Sequence, residues 1–192
     1  MQLRLLTKRI SETSTNNLPL IRPEDIESRT GSLVHGDYSL LGLVDGDSSF
    51  TLAQKNDILI CQLRPYLGKV LLADKTVHAS SELIVLRARN GIEPAWLHLV
   101  MLSEQMTTYA TRYSEGSKMP RTSWEKLANF EIHCVPTAQE QREFISAIQE
   151  KLEGIKMGMQ MVRRLEDSIV VARSQLLESS FNGTLGKVNS DD

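Results

Sequence analysis

Two short stretches of this 192-residue chain concentrate the residue types that could do chemistry. Residues 115–127 read EGSKMPRTSWEKL, and residues 64–69 read RPYLGK. In the first, Gly116 and Pro120 bracket Ser117, Lys118 and Met119, with Arg121 next. In the second, Pro65 and Gly68 make a turn that presents Arg64, Tyr66 and Lys69. Backbone amides beside lysine and arginine suit phosphate oxygens, and an arginine fork suits a guanine edge. If the chain binds DNA, the expected contact residues are Arg64, Tyr66, Lys69, Ser117, Lys118 and Arg121. Against this, the glycines and prolines could merely turn the chain, leaving the cations solvated and Met119 tucked into the core. Trp124 reads as core packing.

Other chemistries find little support. There is no GxGxxG after a strand, no phosphate-cradling GxxxxGK[ST] loop and no nucleophile elbow at Ser80 and Ser81. Histidines 35, 78, 98 and 133 lie in unrelated settings, so no metal site and no cofactor are expected. Asp57, Glu82 and Arg87 could be drawn up as a nuclease-like set, but an apolar residue stands where such a site wants lysine. The chain reads as one that recognises and holds something, with no catalytic residues. Cys61 and Cys134 each sit in an apolar run, as reduced core residues of a cytoplasmic protein would. No apolar run is long enough to cross a membrane, and MQLRLLTKRI lacks a signal-peptide core.

Charge adds a constraint. Residues 1–139 hold 15 Lys/Arg and 15 Asp/Glu, and 140–192 hold 7 against 9. A nucleic-acid binder of this balance must gather its cations on one face. Locally, 112–126 does so, with Arg112, Lys118, Arg121 and Lys126 against Glu115 and Glu125.

The elements that must position these loops are legible from residue 57 onward. DILICQL (57–63) reads as a strand buried on both faces. KVLLAD (69–74) and SSELIVLRAR (80–89) follow as strands. Pro94 suits the first turn of a helix whose apolar residues recur to Tyr113. Thr122 and Glu125 have the spacing of a capping box that restarts a helix after the loop. Phe130, Ile132 and Cys134 alternate with polar residues, the period of a half-buried strand. Before 57, Pro19, Pro23, Gly31 and the string GDSS suggest only short strands and turns.

Thr137 and Glu140 form a second capping-box pattern, with Gln139 and Gln141 expected as solvent or capping residues. No proline follows for some 40 residues. Apolar residues recur at Ile145, Ile148, Leu152, Ile155, Met159, Val162, Leu165, Ile169, Ala172 and Leu176. Spacings of three and four, with one stammer at Val162–Leu165, predict a coiled-coil seam. Asn182-Gly183 suits its stop. A lone stripe of that length needs a second helix, and none is evident in this sequence. The expected interface is Ile145, Ile148, Leu152, Ile155, Met159, Val162, Leu165, Ile169 and Leu176. The expected layout is an α+β recognition domain with a small mixed or antiparallel sheet at 1–136, one long helix at 137–181 and a polar tail at 182–192.

Taken together, DILICQLRPYLGKVLLA, SSELIVLR, SEGSKMPRTSWEKLANFEI and VPTAQEQREFISAIQEKL resemble the specificity subunits of type I restriction-modification enzymes. The resemblance is collinear over about 57–153, and PEDIESRTGSL fits an earlier segment. It implies a non-catalytic DNA-recognition subunit that carries methyltransferase subunits and, in the full complex, restriction subunits. Such subunits usually hold two recognition domains spaced by two long antiparallel helices. This sequence has one of each, which implies a half-subunit that pairs as a homodimer over a bipartite double-stranded DNA target, or one half of a split or truncated gene product. Arg163 and Arg164 could face the methyltransferase or solvent. The rival reading is a protein-interaction adaptor in which the coiled coil is the working part.

Overall fold

The computed structural model describes residues 1–14, 17–42, 50–89 and 91–181. The GDSS string and the Asn182-Gly183 stop lie outside the described residues. Packing divides the chain into Met1–Ile145 and a second unit from Ser146 onward.

The first unit is α+β, built on two four-stranded sheets. One has strand order β1-β8-β5-β6, comprising β1 (Thr7–Ile10), β5 (Ile58–Cys61), β6 (Val70–Leu72) and β8 (Leu83–Ala88), all antiparallel. The other has order β2-β4-β7-β3, comprising β2 (Thr13–Ser14), β3 (Leu20–Ile21), β4 (Phe50–Ala53) and β7 (Val77–Ala79). It is mixed, because β3 runs parallel to β7. The strands read from 57–63, 69–74 and 80–89 are thus β5, β6 and β8, with β5 paired to both of the others.

Strand alternation explains the layers. Ile58, Ile60, Val70, Ile84 and Leu86 face a core shared with Leu3 and Leu6 of α1 (Leu3–Leu6), Trp96, Leu97 and Met101 of α2 (Pro94–Leu102), and Met106 of α3 (Glu104–Arg112). Leu59, Cys61, Leu71 and Val85 face the opposite way, into a core with Ile10, Ile21, Ile26, Ala53 and Val77. Successive strand side chains point to opposite faces, so covering both faces buries every residue of β5. That is why it is almost wholly apolar.

Several local expectations are corrected. The helix read from Pro94 to Tyr113 is two helices. Ser103 ends α2 and caps α3 through a hydrogen bond accepted from the Met106 amide at 3.2 Å. The strand read at 130–134 is a single bridge, Gln2↔Glu131. Phe130 and Ile132 are buried as the alternation required, but Cys134 is exposed, so only Cys61 is a core cysteine. Asp57 and Arg87 are joined at 2.7 and 2.8 Å, with the Asp57 side chain sealed from solvent. Glu82 faces Arg121 instead, so the nuclease-like set does not assemble. His78 is buried, His98 half-buried, and His35 and His133 are exposed. Among the described residues no helix is long and apolar enough to cross a membrane.

The long helix, α5, spans Ala138–Phe181, about 66 Å at 1.5 Å per residue. Its capping box forms as read. The Thr137 amide donates to Glu140 Oε2 at 2.8 Å and the Glu140 amide donates to Thr137 Oγ1 at 3.3 Å. These Thr137 donors, the backbone amide first and the hydroxyl second, hold the Glu140 carboxyl below its ordinary value. Gln141, expected at the surface, is fully buried. Its Oε1 accepts from the Glu93 amide at 2.8 Å, and its Nε2 donates to the carbonyls of Pro136 and Gly91 at 2.8 and 3.2 Å. Gln141→Ala strands a buried amide and two carbonyls. It should lower the stability of the first unit by about 2–3 kcal/mol, a fall of roughly 5–10 °C in a thermal melt.

Candidate nucleic-acid interface

The two motifs singled out in sequence meet. RPYLGK turns between β5 and β6 as a short 3-10 segment, Pro65–Leu67. The Arg64 amide donates to the Pro120 carbonyl at 2.8 Å, and Leu63 bridges Arg121. The Thr122 amide donates to the Gln62 carbonyl at 3.0 Å. GSKMPR is closed on itself by the Glu115–Arg121 pair, whose two backbone bonds measure 2.8 and 2.9 Å. The two loops therefore form one ledge at the end of β5.

Strained backbone concentrates there. Arg64 has φ +47° and Arg29 has φ +64°, left-handed values that cost a non-glycine residue about 1–2 kcal/mol each. Both are held by bonds from outside their own turn. Arg64 is held by Pro120, and the Arg29 amide donates to the Gly68 carbonyl at 3.2 Å. The Arg29 guanidinium also donates to the Tyr66 carbonyl at 3.3 Å. Gly116 sits at φ +96°, and a Cβ there would lie 3.1 Å from the Met119 carbonyl oxygen, so the tight return of the loop requires glycine.

Side chains on the ledge divide into free and committed. Arg64, Ser117, Lys118 and Arg121 are exposed, and Tyr66 is 42% exposed. Among the described residues, Arg64 and Lys118 have no ion-pair partner. Met119 is exposed rather than tucked into the core. Lys69 is half-buried, and its Nζ donates to the Pro23 carbonyl at 2.6 Å, which ties the turn to the earlier PEDIES segment. Arg121 faces Glu82 at 3.8 Å, and Lys126 pairs with Glu115 at 2.6 Å. The Lys126 ammonium holds the Glu115 carboxyl below its ordinary range. Behind the ledge, burial pushes the Cys61 thiol up, keeping it protonated and inert.

The Thr122–Glu125 capping box does not form. The N-cap of α4 (Trp124–Leu127) is Ser123, one residue later. Thr122 is buried with its amide spent on Gln62 and its hydroxyl unpartnered among the described residues. Its own amide first, and the Ser123 hydroxyl second, lower the Glu125 carboxyl. Trp124 packs, half-buried, against the first core.

Arg29 was not singled out from sequence. The string RTG signals a turn through Gly31, which itself sits at φ +77°, and carries no signal for the left-handed backbone of Arg29. Arg112 and Tyr113 at the end of α3 are exposed, with the Arg112 guanidinium 5.8 Å from the Tyr113 ring centroid. They extend the exposed cations along the chain that leads into GSKMPR.

The seam residues fall into two groups. Ile145 packs against the first core and Ile148 is half-buried. Leu152, Ile155, Met159, Val162, Leu165, Ile169 and Leu176 are each more than half exposed.

A family model described as the type I restriction modification DNA specificity domain matches residues 4–158. The HsdS subunit of Thermoanaerobacter tengcongensis has a similar fold, with TM-score 0.65 and 18% identity over all of this chain and 50% of that one. A chain from a structure on complex assembly and conformational transition of the type I R-M system gives 0.63 and 20%, again over all of this chain and 50% of that one. The S subunit of a type I restriction-modification system from M. genitalium gives 0.50 and 18%, covering 88% of this chain and 43% of that one. This chain thus spans about half the length of the solved chains it matches. No curated protein matches it.

Proposed function

The chain belongs to the type I restriction-modification DNA specificity family, and on that footing we propose that it reads one half of a bipartite DNA target. The observation that carries the proposal is the joining of RPYLGK to GSKMPR by the Arg64–Pro120 bond, which gathers Arg64, Lys118 and Arg121 on one ledge. Arginine forks are suited to guanine edges and lysine to phosphates. Arg64, Tyr66, Ser117, Lys118 and Arg121 are the contact residues. Lys69 acts from behind by fixing the turn.

The exposed seam of α5 pairs with the same helix of a second copy, with Leu152 to Leu176 as its centre and Ile145 serving the recognition domain's own core. Two identical readers then face two half-sites. The subunit supplies recognition rather than catalysis, and it works in the cytoplasm with a type I methyltransferase subunit and a restriction subunit. Selecting bound duplexes from a random pool, with the methyltransferase partner present, tests the reading. Enrichment of two short fixed blocks around a spacer supports it. A pool that stays random at every salt concentration at which the complex binds DNA contradicts it.

The even charge balance of residues 1–139 has a measurable consequence. The chain alone should bind random duplex DNA weakly at physiological salt, with a Kd in the range of about 10⁻⁴–10⁻⁶ M, tightening steeply as salt is lowered. Filter binding across a salt series reads this directly.

A further inference from the structure

Two of the ledge's cations carry their own carboxylates. Arg121 Nη2 lies 3.8 Å from Glu82 Oε1, with the two side chains 51% and 39% exposed. Lys126 lies 2.6 Å from Glu115. The first pair is set up by backbone on both sides. The Gln62 amide donates to the Glu82 carbonyl at 2.9 Å, while the Gln62 carbonyl accepts from the Thr122 amide at 3.0 Å. Gln62 Nε2 also donates to the Ser81 carbonyl at 3.0 Å. One residue thus holds the turn before β8 against the loop that bears Arg121. The Glu82 carboxylate stands beside the guanidinium at a loose, exchangeable distance.

We propose that Glu82 is a specificity-determining residue that competes with DNA for Arg121. This rests on the reading of the ledge as the DNA face. A phosphate of random sequence offers Arg121 one charge, in exchange for a carboxylate already present. A correctly placed base edge offers two directed hydrogen bonds in addition. The carboxylate therefore subtracts from binding at every sequence, and only the correct one restores what is lost. Arg64 and Lys118, which have no such carboxylate among the described residues, remain available for sequence-independent contact.

The test is a cycle of four full-length chains, namely wild type, Glu82→Gln, Arg121→Ala and the double variant, each titrated with a random-sequence duplex over a salt series. Glu82→Gln should tighten binding about two- to fivefold, the range of an exposed pair. It should also steepen the plot of log K against log salt by about 0.9, one added phosphate contact. In the Arg121→Ala background the same substitution should change nothing. An equal gain in both backgrounds would mean that removing any negative charge suffices, and would overturn the proposal. So would no gain in either. If wild type and Glu82→Gln both fail to bind duplex DNA even at low salt, the DNA-face reading itself falls. Among the described residues the Glu82 side chain meets only Arg121, so Glu82→Gln should leave the melting temperature of the folded chain unchanged.

Discussion

A chain carrying Lys118→Ala and Arg121→Ala should lose sequence-specific DNA recognition while its fold and its assembly stay intact. A base-edge contact by arginine contributes about 1–3 kcal/mol of discrimination, and a lysine phosphate contact adds affinity without preference. Together the losses correspond to a fall of roughly a hundredfold in specific affinity, read as loss of methylation at the cognate motif. The expectation of an intact fold comes from the geometry. Arg121 holds its loop through backbone bonds to Glu115 and through the bridge to Leu63. Those bonds survive truncation of the side chain. Lys118 is exposed and without an ion-pair partner among the described residues. A melting temperature unchanged by the double substitution, with co-purification of the methyltransferase subunit preserved, separates lost recognition from lost structure. Methylation that persists at the wild-type level would remove the ledge from the DNA interface.

Helix pairing should fail when charge is placed in the exposed seam. Ile155→Asp with Val162→Asp puts two carboxylates where apolar side chains would interlock, one heptad apart. Losing the burial of each side chain removes about 1.5–3 kcal/mol, and each is lost on both copies. The dimer dissociation constant should therefore rise by at least about a hundredfold. Light scattering should report twice the 21.6 kDa chain mass for wild type and the single mass for the variant. These positions are chosen because both are more than half exposed. Ile145 would be a poor choice, since it packs against the core of the first unit and its loss would confuse unfolding with dissociation. A wild-type chain that is monomeric at micromolar concentration would rule out self-pairing.

How much of this was legible in the sequence depends on the range of the interactions. β5, β6 and β8 were readable because burial on both faces leaves a continuous apolar run that needs no knowledge of partners. The capping box of Thr137 and Glu140 was readable because both its bonds lie within four residues. The similar pattern at Thr122 failed because the Thr122 amide is taken by Gln62, sixty residues away in the chain. Gln141 misled for the same reason. A glutamine near a helix start reads as solvated, and its burial depends on carbonyls of Gly91 and Pro136 and on the Glu93 amide. The early strands were illegible because they are two to four residues long and find partners far along the chain, as β1 does with β8 and β3 with β7. Ser103 did carry a signal. A serine ahead of Glu104 is a helix start, but apolar spacing ran through it and hid the break. For the site, each loop was visible alone, whereas their meeting through Arg64 and Pro120 was not.

Mapping the methylated motif in a host that carries this chain with its methyltransferase bears most directly on the central claim, that paired copies present identical readers to a split target. The expected result is an interrupted palindrome whose two short blocks are reverse complements across a fixed spacer. An asymmetric bipartite motif, or methylation that does not depend on this chain, would contradict it.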